Sequence, residues 1–149
     1  ESIGLVLAIG GFVPLAAPIA ATLLERKLSA AWVTIIGMLV HAGLSLTLFT
    51  STGFQGFAGA YAFVTATVLF THTFAFGMLS KLDPRGRMNA LTPTMMMTGS
   101  AVGPFLGGTI ATYAGFPSIG FGAATCAALG ALCFVLLLVS QGRRVPSPA

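Results

Sequence analysis

Five long apolar stretches, separated by short polar breaks, make up most of the chain. They run over about 3–24, 30–50, 56–79, 92–114 and 119–139. Each is close to the roughly 20 residues that an α-helix needs to cross the hydrocarbon core of a bilayer. The breaks carry charge or turn chemistry: Glu25-Arg26-Lys27, Ser51-Thr52-Gly53, the run 81–87 with Asp83-Pro84, and Gly115-Phe116-Pro117-Ser118. Helices are the required form, because lipid offers no partner to a backbone donor or acceptor. The pattern predicts an all-α fold: a bundle of five transmembrane helices within 1–140, and a polar, Pro- and Ser-containing cytoplasmic tail at 141–149.

The charges give the bundle an orientation. Arg26 and Lys27 lie between the first and second stretches, Lys81, Arg85 and Arg87 between the third and fourth, and Arg143 and Arg144 after the fifth. With five crossings, all seven basic residues fall on one side. Merging or adding a crossing would scatter them onto both sides. The positive-inside tendency makes the basic side cytoplasmic. The C-terminus is then inside, as expected of an integral protein of a bacterial inner (plasma) membrane.

Composition agrees with this reading. The 149 residues are 56% hydrophobic and 7% charged, whereas soluble domains carry roughly a quarter charged residues. A soluble fold of this size could not hide so much apolar surface. The net charge of +4 sits in short clusters between apolar stretches, not along a solvated face, so nucleic acid is not an expected partner. Cys126 and Cys133 share one stretch, where their spacing rules out a bridge within the helix.

The fourth stretch contains Gly99-Ser100-Ala101-Val102-Gly103-Pro104-Phe105-Leu106-Gly107-Gly108. Gly99, Gly103 and Gly107 recur every four residues, which lays a flat groove along one helix face where another backbone can approach. Pro104 frees one carbonyl and bends the helix. The stripe reads as a packing face, and also as one that bends or slides in a conformational cycle. In the third stretch, Tyr61, Thr65, His72 and Phe76 follow one another at four, seven and four residues, which keeps them on one helical stripe. Either the stripe faces a polar cavity, or His72 is a neutral packing residue and Thr65 bonds to its own backbone. His41, in the middle of the second stretch, is expected to face protein and to hydrogen-bond structurally. Met95, Met96 and Met97 point in three directions and read as adaptable packing. Trp32 suits an interfacial anchor.

Glu1, Glu25 and Asp83 are the chain's acids, and all lie at ends or breaks, so no carboxylate is expected inside a crossing. No catalytic or metal-binding spacing is present, and two separated histidines without an acid make a poor catalytic set. Neither an enzyme activity, a cofactor nor a metal is expected.

The Gly103-Pro104-x-x-Gly107-Gly108 run, with Gly99 ahead of it, resembles the Gly-Pro-rich signature of the major facilitator superfamily of secondary transporters. Leu24-Glu25-Arg26-Lys27 resembles a worn form of that family's acidic-then-basic loop. Lys81-Leu82-Asp83-Pro84-Arg85-Gly86-Arg87 is similar to the short cytoplasmic loop before the Gly-Pro helix. The resemblance covers nearly the whole chain. It implies a portion of a twelve-helix fold, either helices 8–12 or helices 2–6. The former is favoured because the first loop lacks the full Gly-x-x-x-Asp-Arg-x-Gly-Arg pattern and the third stretch has no Arg near its outer end. The partners implied are the bilayer, the N-terminal half of the same transporter and a small-molecule substrate.

In that frame Tyr61, Thr65, His72 and Phe76 line the substrate pathway. Gly99, Gly103, Pro104, Gly107 and Gly108 form the moving face, and Glu25, Arg26, Lys27, Asp83, Arg85 and Arg87 form cytoplasmic gate contacts. The alternative from another class is a small membrane-embedded scaffold or assembly subunit that binds a partner through the glycine-striped helix. The resemblance implies that these residues alone, one helix short of a six-helix half, do not transport. Proton- or substrate-dependent uptake by the purified chain in liposomes would contradict it.

Overall fold

The computed structural model describes residues 2–142. Glu1 and positions 143–149, with Arg143, Arg144 and most of the expected tail, lie outside the described residues. The fold is all-helical: α1 (Ser2–Leu24), α2 (Ala30–Thr50), α3 (Phe54–Leu82), α4 (Arg87–Ala114) and α5 (Ser118–Gly142). All five expected helices form. The largest difference is at the α3–α4 junction, where both helices extend toward each other and leave a turn of only 83–86. Asp83-Pro84-Arg85-Gly86 makes that turn. The Gly86 amide donates to the Asp83 carbonyl at 2.9 Å, and Gly86 takes φ +70°, a left-handed conformation that favours glycine. Gly115 ends α4 before Pro117 at φ +84° and ψ 159°, a different positive-φ conformation that also favours glycine.

Four helical segments are long and apolar enough to cross a membrane: Gly4–Leu24, Ala30–Thr50, Phe54–Leu82 and Ser118–Ser140. Helix α4 does not reach the same apolarity. Its 28 residues are long enough, at about 42 Å by the helical rise. However, Asn89, Thr92, Thr94, Thr98, Ser100, Thr109, Thr112 and the glycines dilute its apolar content. Several of its hydroxyls bond back to the carbonyl four residues earlier, as in Thr98 to Thr94 and Thr109 to Phe105, both 2.8 Å. Those bonds lower the cost of carrying the groups into an apolar medium.

Helix α2 runs opposite to both α3 and α5, and side-chain contacts fix this. Gly37 of α2 lies against Thr71 of α3, an early residue beside a late one. Gly120, early in α5, lies against Ser45, Leu46 and Phe49, late in α2. Gly10 of α1 lies against Tyr61 of α3, early beside early, so α1 and α3 run together. Arg26, Lys27, Lys81, Arg85 and Arg87 therefore share one end of the bundle, the end toward which α5 also runs.

Helices α1, α2, α3 and α5 form the packed body, with α3 against α1 and α2, and α2 against α5. Helix α4 touches α3 and α5 only lightly. The buried positions of the body are mostly small or singly polar: Ala17, Ala21, Thr34, Ser45, Ala60, Thr71 and Ala131, joined by Ile35 and Phe74. The large apolar side chains point outward, as Phe12 and Leu23 do at 72% exposure each. This arrangement inverts a soluble core and suits helices that pack by close backbone approach with lipid outside.

The close contacts predict which glycines the body needs. A Cβ at Gly120 would sit 3.0 Å from the Phe49 Cβ and 3.1 Å from the Ser45 carbonyl oxygen, which is rigid backbone. Gly120→Ala should destabilise the protein by about 1–3 kcal/mol through overpacking. Gly99→Ala meets no atom and should leave unfolding unchanged or slightly raised. Thermal unfolding of the two variants in detergent micelles checks the contrast.

Candidate functional site

Two of the four stripe residues come together in a cavity. His72 and Phe76, one helical turn apart on α3, stack with ring centroids 5.4 Å apart and planes inclined by 19°. They form one wall of a cavity of about 520 Å³ between α3 and α4. The opposite wall comes from Thr92, Met95, Met96, Gly99 and Ser100. Pro104 cannot donate to the Ser100 carbonyl, so α4 carries a backbone acceptor without its helical donor beside this wall. The cavity offers an aromatic face, an imidazole, two hydroxyls and two flexible thioethers, with no charged side chain among the lining residues. Such a surface can stack on and hydrogen-bond a small solute.

The other two stripe residues are elsewhere. Tyr61 is half-buried against Gly10 of α1 and stacks on Phe57, with centroids 6.0 Å apart and planes at 18°. Thr65 is exposed. Spacing placed all four on one face, but α1 covers the early end of that face and α4 lies over the late end. The stripe is therefore divided between two neighbours.

His41 is not confined to the structural hydrogen bond expected of it. Its Nε2 is 3.4 Å from the Ser45 hydroxyl, at the outer limit of a hydrogen bond, and its Nδ1 is buried without a partner. It shares with His72 a second cleft, between α2, α3 and α5. Sequence reasoning treated the two histidines separately, because the pairing of α2 with α3 that joins them is a tertiary contact.

The basic-end residues divide in a similar way. Glu25, Arg26, Lys27, Arg85 and Arg87 are exposed. Asp83 is half-buried, and its carboxylate accepts the Met88 backbone N–H at 2.7 Å. That bond satisfies one of the free donors of the first turn of α4 and places negative charge at the positive end of the helix. The Asn89 amide donates to the Ser80 hydroxyl at 2.6 Å, a second tie across the same turn that sequence reasoning missed. The expected gate acid is thus engaged as a helix cap. Along the glycine stripe, a Cβ at Gly99, Gly103, Gly107 or Gly108 would meet no atom within 4 Å, so among the described residues no other helix occupies the groove.

Compared with protein-family models, with curated proteins and with solved structures, the chain matches none.

Removing the Asp83 cap should loosen the start of α4 locally. Asp83→Ala is expected to cost about 1 kcal/mol. The Met88 amide should then exchange with solvent about fivefold faster, while amides in the middle of α3 keep their rates. Hydrogen exchange read by mass spectrometry resolves the two regions.

Proposed function

We propose that the chain is part of a secondary transporter embedded in a bacterial inner membrane. In this reading it crosses five times, with its basic end cytoplasmic, and moves a small solute by alternating access. The observation that carries the proposal is the contrast between α4 and the rest of the bundle. Four helices pack closely on one another, while one side of α4 lines a cavity with His72 and Phe76 through Met95, Met96, Gly99 and Ser100 and, farther along that same side, stands open at Gly103 and Gly107. A helix that spans with part of one side on a cavity and the next part free for a neighbouring backbone suits a moving element, and rocking about a midplane site is how such transporters work. The resemblance of Gly99, Gly103, Pro104, Gly107 and Gly108 to the major facilitator signature supports the same role. The missing neighbour is then a helix of the transporter's other part. The modest apolarity of α4 fits a helix shielded from lipid along that side.

In this frame His72 and Phe76, not Tyr61 and Thr65, form the substrate wall within these residues. The substrate is a small molecule that the cavity holds by stacking and by neutral hydrogen bonds. The alternative, a scaffold subunit, draws on the same open face, because a glycine groove also fits a partner helix. The two readings differ over the cavity, for which a scaffold has no use.

The discriminating measurement pairs two variants in the full-length protein. His72→Ala should lower solute uptake about tenfold, the effect of losing one stacking or hydrogen-bonding contact of about 1.4 kcal/mol, at unchanged membrane abundance. Gly103→Leu should lower uptake as well. Loss of partner association in the glycine variant with no effect of the histidine variant would favour the scaffold. Orientation is checked separately with single cysteines introduced at Arg85 and at Thr52. A membrane-impermeant maleimide should label the first only from the cytoplasmic side and the second only from outside.

A further inference from the structure

The second cleft, enclosed by α2, α3 and α5, has a volume of about 250 Å³ and is lined by Gly37, Met38, His41, Thr71, His72 and Cys126, among others. It contains two buried polar atoms without partners, the His41 Nδ1 and the Thr71 hydroxyl. Thr71 is the more telling of the two. Most threonines in these helices turn their hydroxyl back onto the carbonyl four residues earlier, as Thr34, Thr47, Thr73 and Thr125 do. Thr71 is 6% exposed and does not make that bond. Its hydroxyl is instead directed toward α2, against Gly37, where any side chain larger than hydrogen would collide with it. A donor that gives up its ordinary acceptor at the centre of an apolar bundle needs another.

Water fits this role. A cavity that offers several polar partners holds water, whereas an apolar one of the same size stays dry. Once water is present, the two imidazoles have a polar medium between them. His41 faces the cleft from α2, His72 from α3, and Cys126 is the titratable group from α5. Among the described residues, no Asp, Glu, Lys or Arg lines the cleft. On the far side of α3, the α4 residues against His72 are Thr92, Met95, Met96, Gly99 and Ser100, none of them titratable, and Tyr61 of α3 faces α1.

We propose that this cleft is a hydrated proton-binding site, in which His41 and His72 together hold a single proton bridged by water to the Thr71 hydroxyl. The proton comes from bulk water and sits on a ring nitrogen, and no covalent bond elsewhere changes. One proton is the capacity because a second would have to join an imidazolium already in the cleft, and like charges at close range in a low-dielectric medium repel strongly. Such a pair titrates as one unit. His72 also forms part of the α3–α4 cavity wall, so the state of the pair is felt there. The proposal requires that the bundle sit in a bilayer but not that it transport anything. Its test is therefore separate from that of the transport reading.

The test is solid-state NMR on the full protein in lipid bilayers, with ¹⁵N-labelled histidine, between pH 8 and pH 5. The nitrogen shifts distinguish neutral tautomers from imidazolium, and His41→Gln and His72→Gln assign the signals. The expected result is imidazolium amounting to one proton for the pair, with magnetisation transfer from water to both rings. Thr71→Val should weaken proton uptake about tenfold, as expected when a hydrogen bond supporting a charged group is lost, and Thr71→Ser should restore it. Two imidazolium rings per pair, none at pH 5, or no contact with water would each overturn the proposal, as would a Thr71→Val profile matching the unmodified protein. If Thr71→Val fails to fold, the stoichiometry and water contact of the unmodified protein decide the question.

Discussion

The close approach of α2 to its two neighbours is the contact on which the bundle depends. On one side Gly37 admits Thr71 of α3, and on the other Gly120 of α5 admits Ser45, Leu46 and Phe49. Gly130 brings the Met38 sulfur against α5 farther along, 3.5 Å from where a Cβ would stand. In water such contacts would be minor beside the burial of large apolar side chains. In lipid the large side chains gain little by turning inward, because the medium is as apolar as they are. What remains is close packing of backbones and small residues, and the few polar groups trapped between them. The cleft shared by α2, α3 and α5, and the placing of His41 beside His72, follow from how α2 and α3 meet.

Much of this was legible in the sequence. Apolar runs bounded by Glu25-Arg26-Lys27, Asp83-Pro84 and Gly115-Phe116-Pro117 gave five helices, with boundaries that moved by only a few residues at most ends. The charges predicted that the basic loops share one side, and the helix contacts gather the described basic residues at one end of the bundle. These features are local, or follow from simple alternation. The division of the Tyr61–Phe76 stripe was not legible, because a helical face says nothing about how many neighbours share it. The role of Thr71 was hidden for the same reason: its signal is a hydrogen bond it does not make. Asp83 illustrates a different limit. The family resemblance implied a gate contact for it, and the geometry of the turn gives it a capping bond that is compatible with the sequence but not required by it.

Two kinds of polarity thus meet inside the bundle. Most hydroxyls are neutralised within their own helix and make the helices more polar in composition than in behaviour. Among the described residues, one buried hydroxyl is left over, that of Thr71, at the interface of α3 with α2. Helix α3 contacts α1, α2 and α4, so it carries the constraints of every part of the chain except α5. His72 stands where two of those interfaces come closest, forming part of the wall of each cleft.

Helix α4 is held near its two ends. At one, Asp83 and Asn89 tie it to the end of α3. At the other, Ile110 lies against Gly122, and Phe116 tilts onto Phe49 with ring centroids 5.2 Å apart. Between these bearings its contacts are few. A rod supported near its ends is stiff along its axis and most compliant at its middle, like a bridge deck. One continuous side runs along it, thioethers first and glycines beyond, so a bow at the middle would shift both together relative to His72.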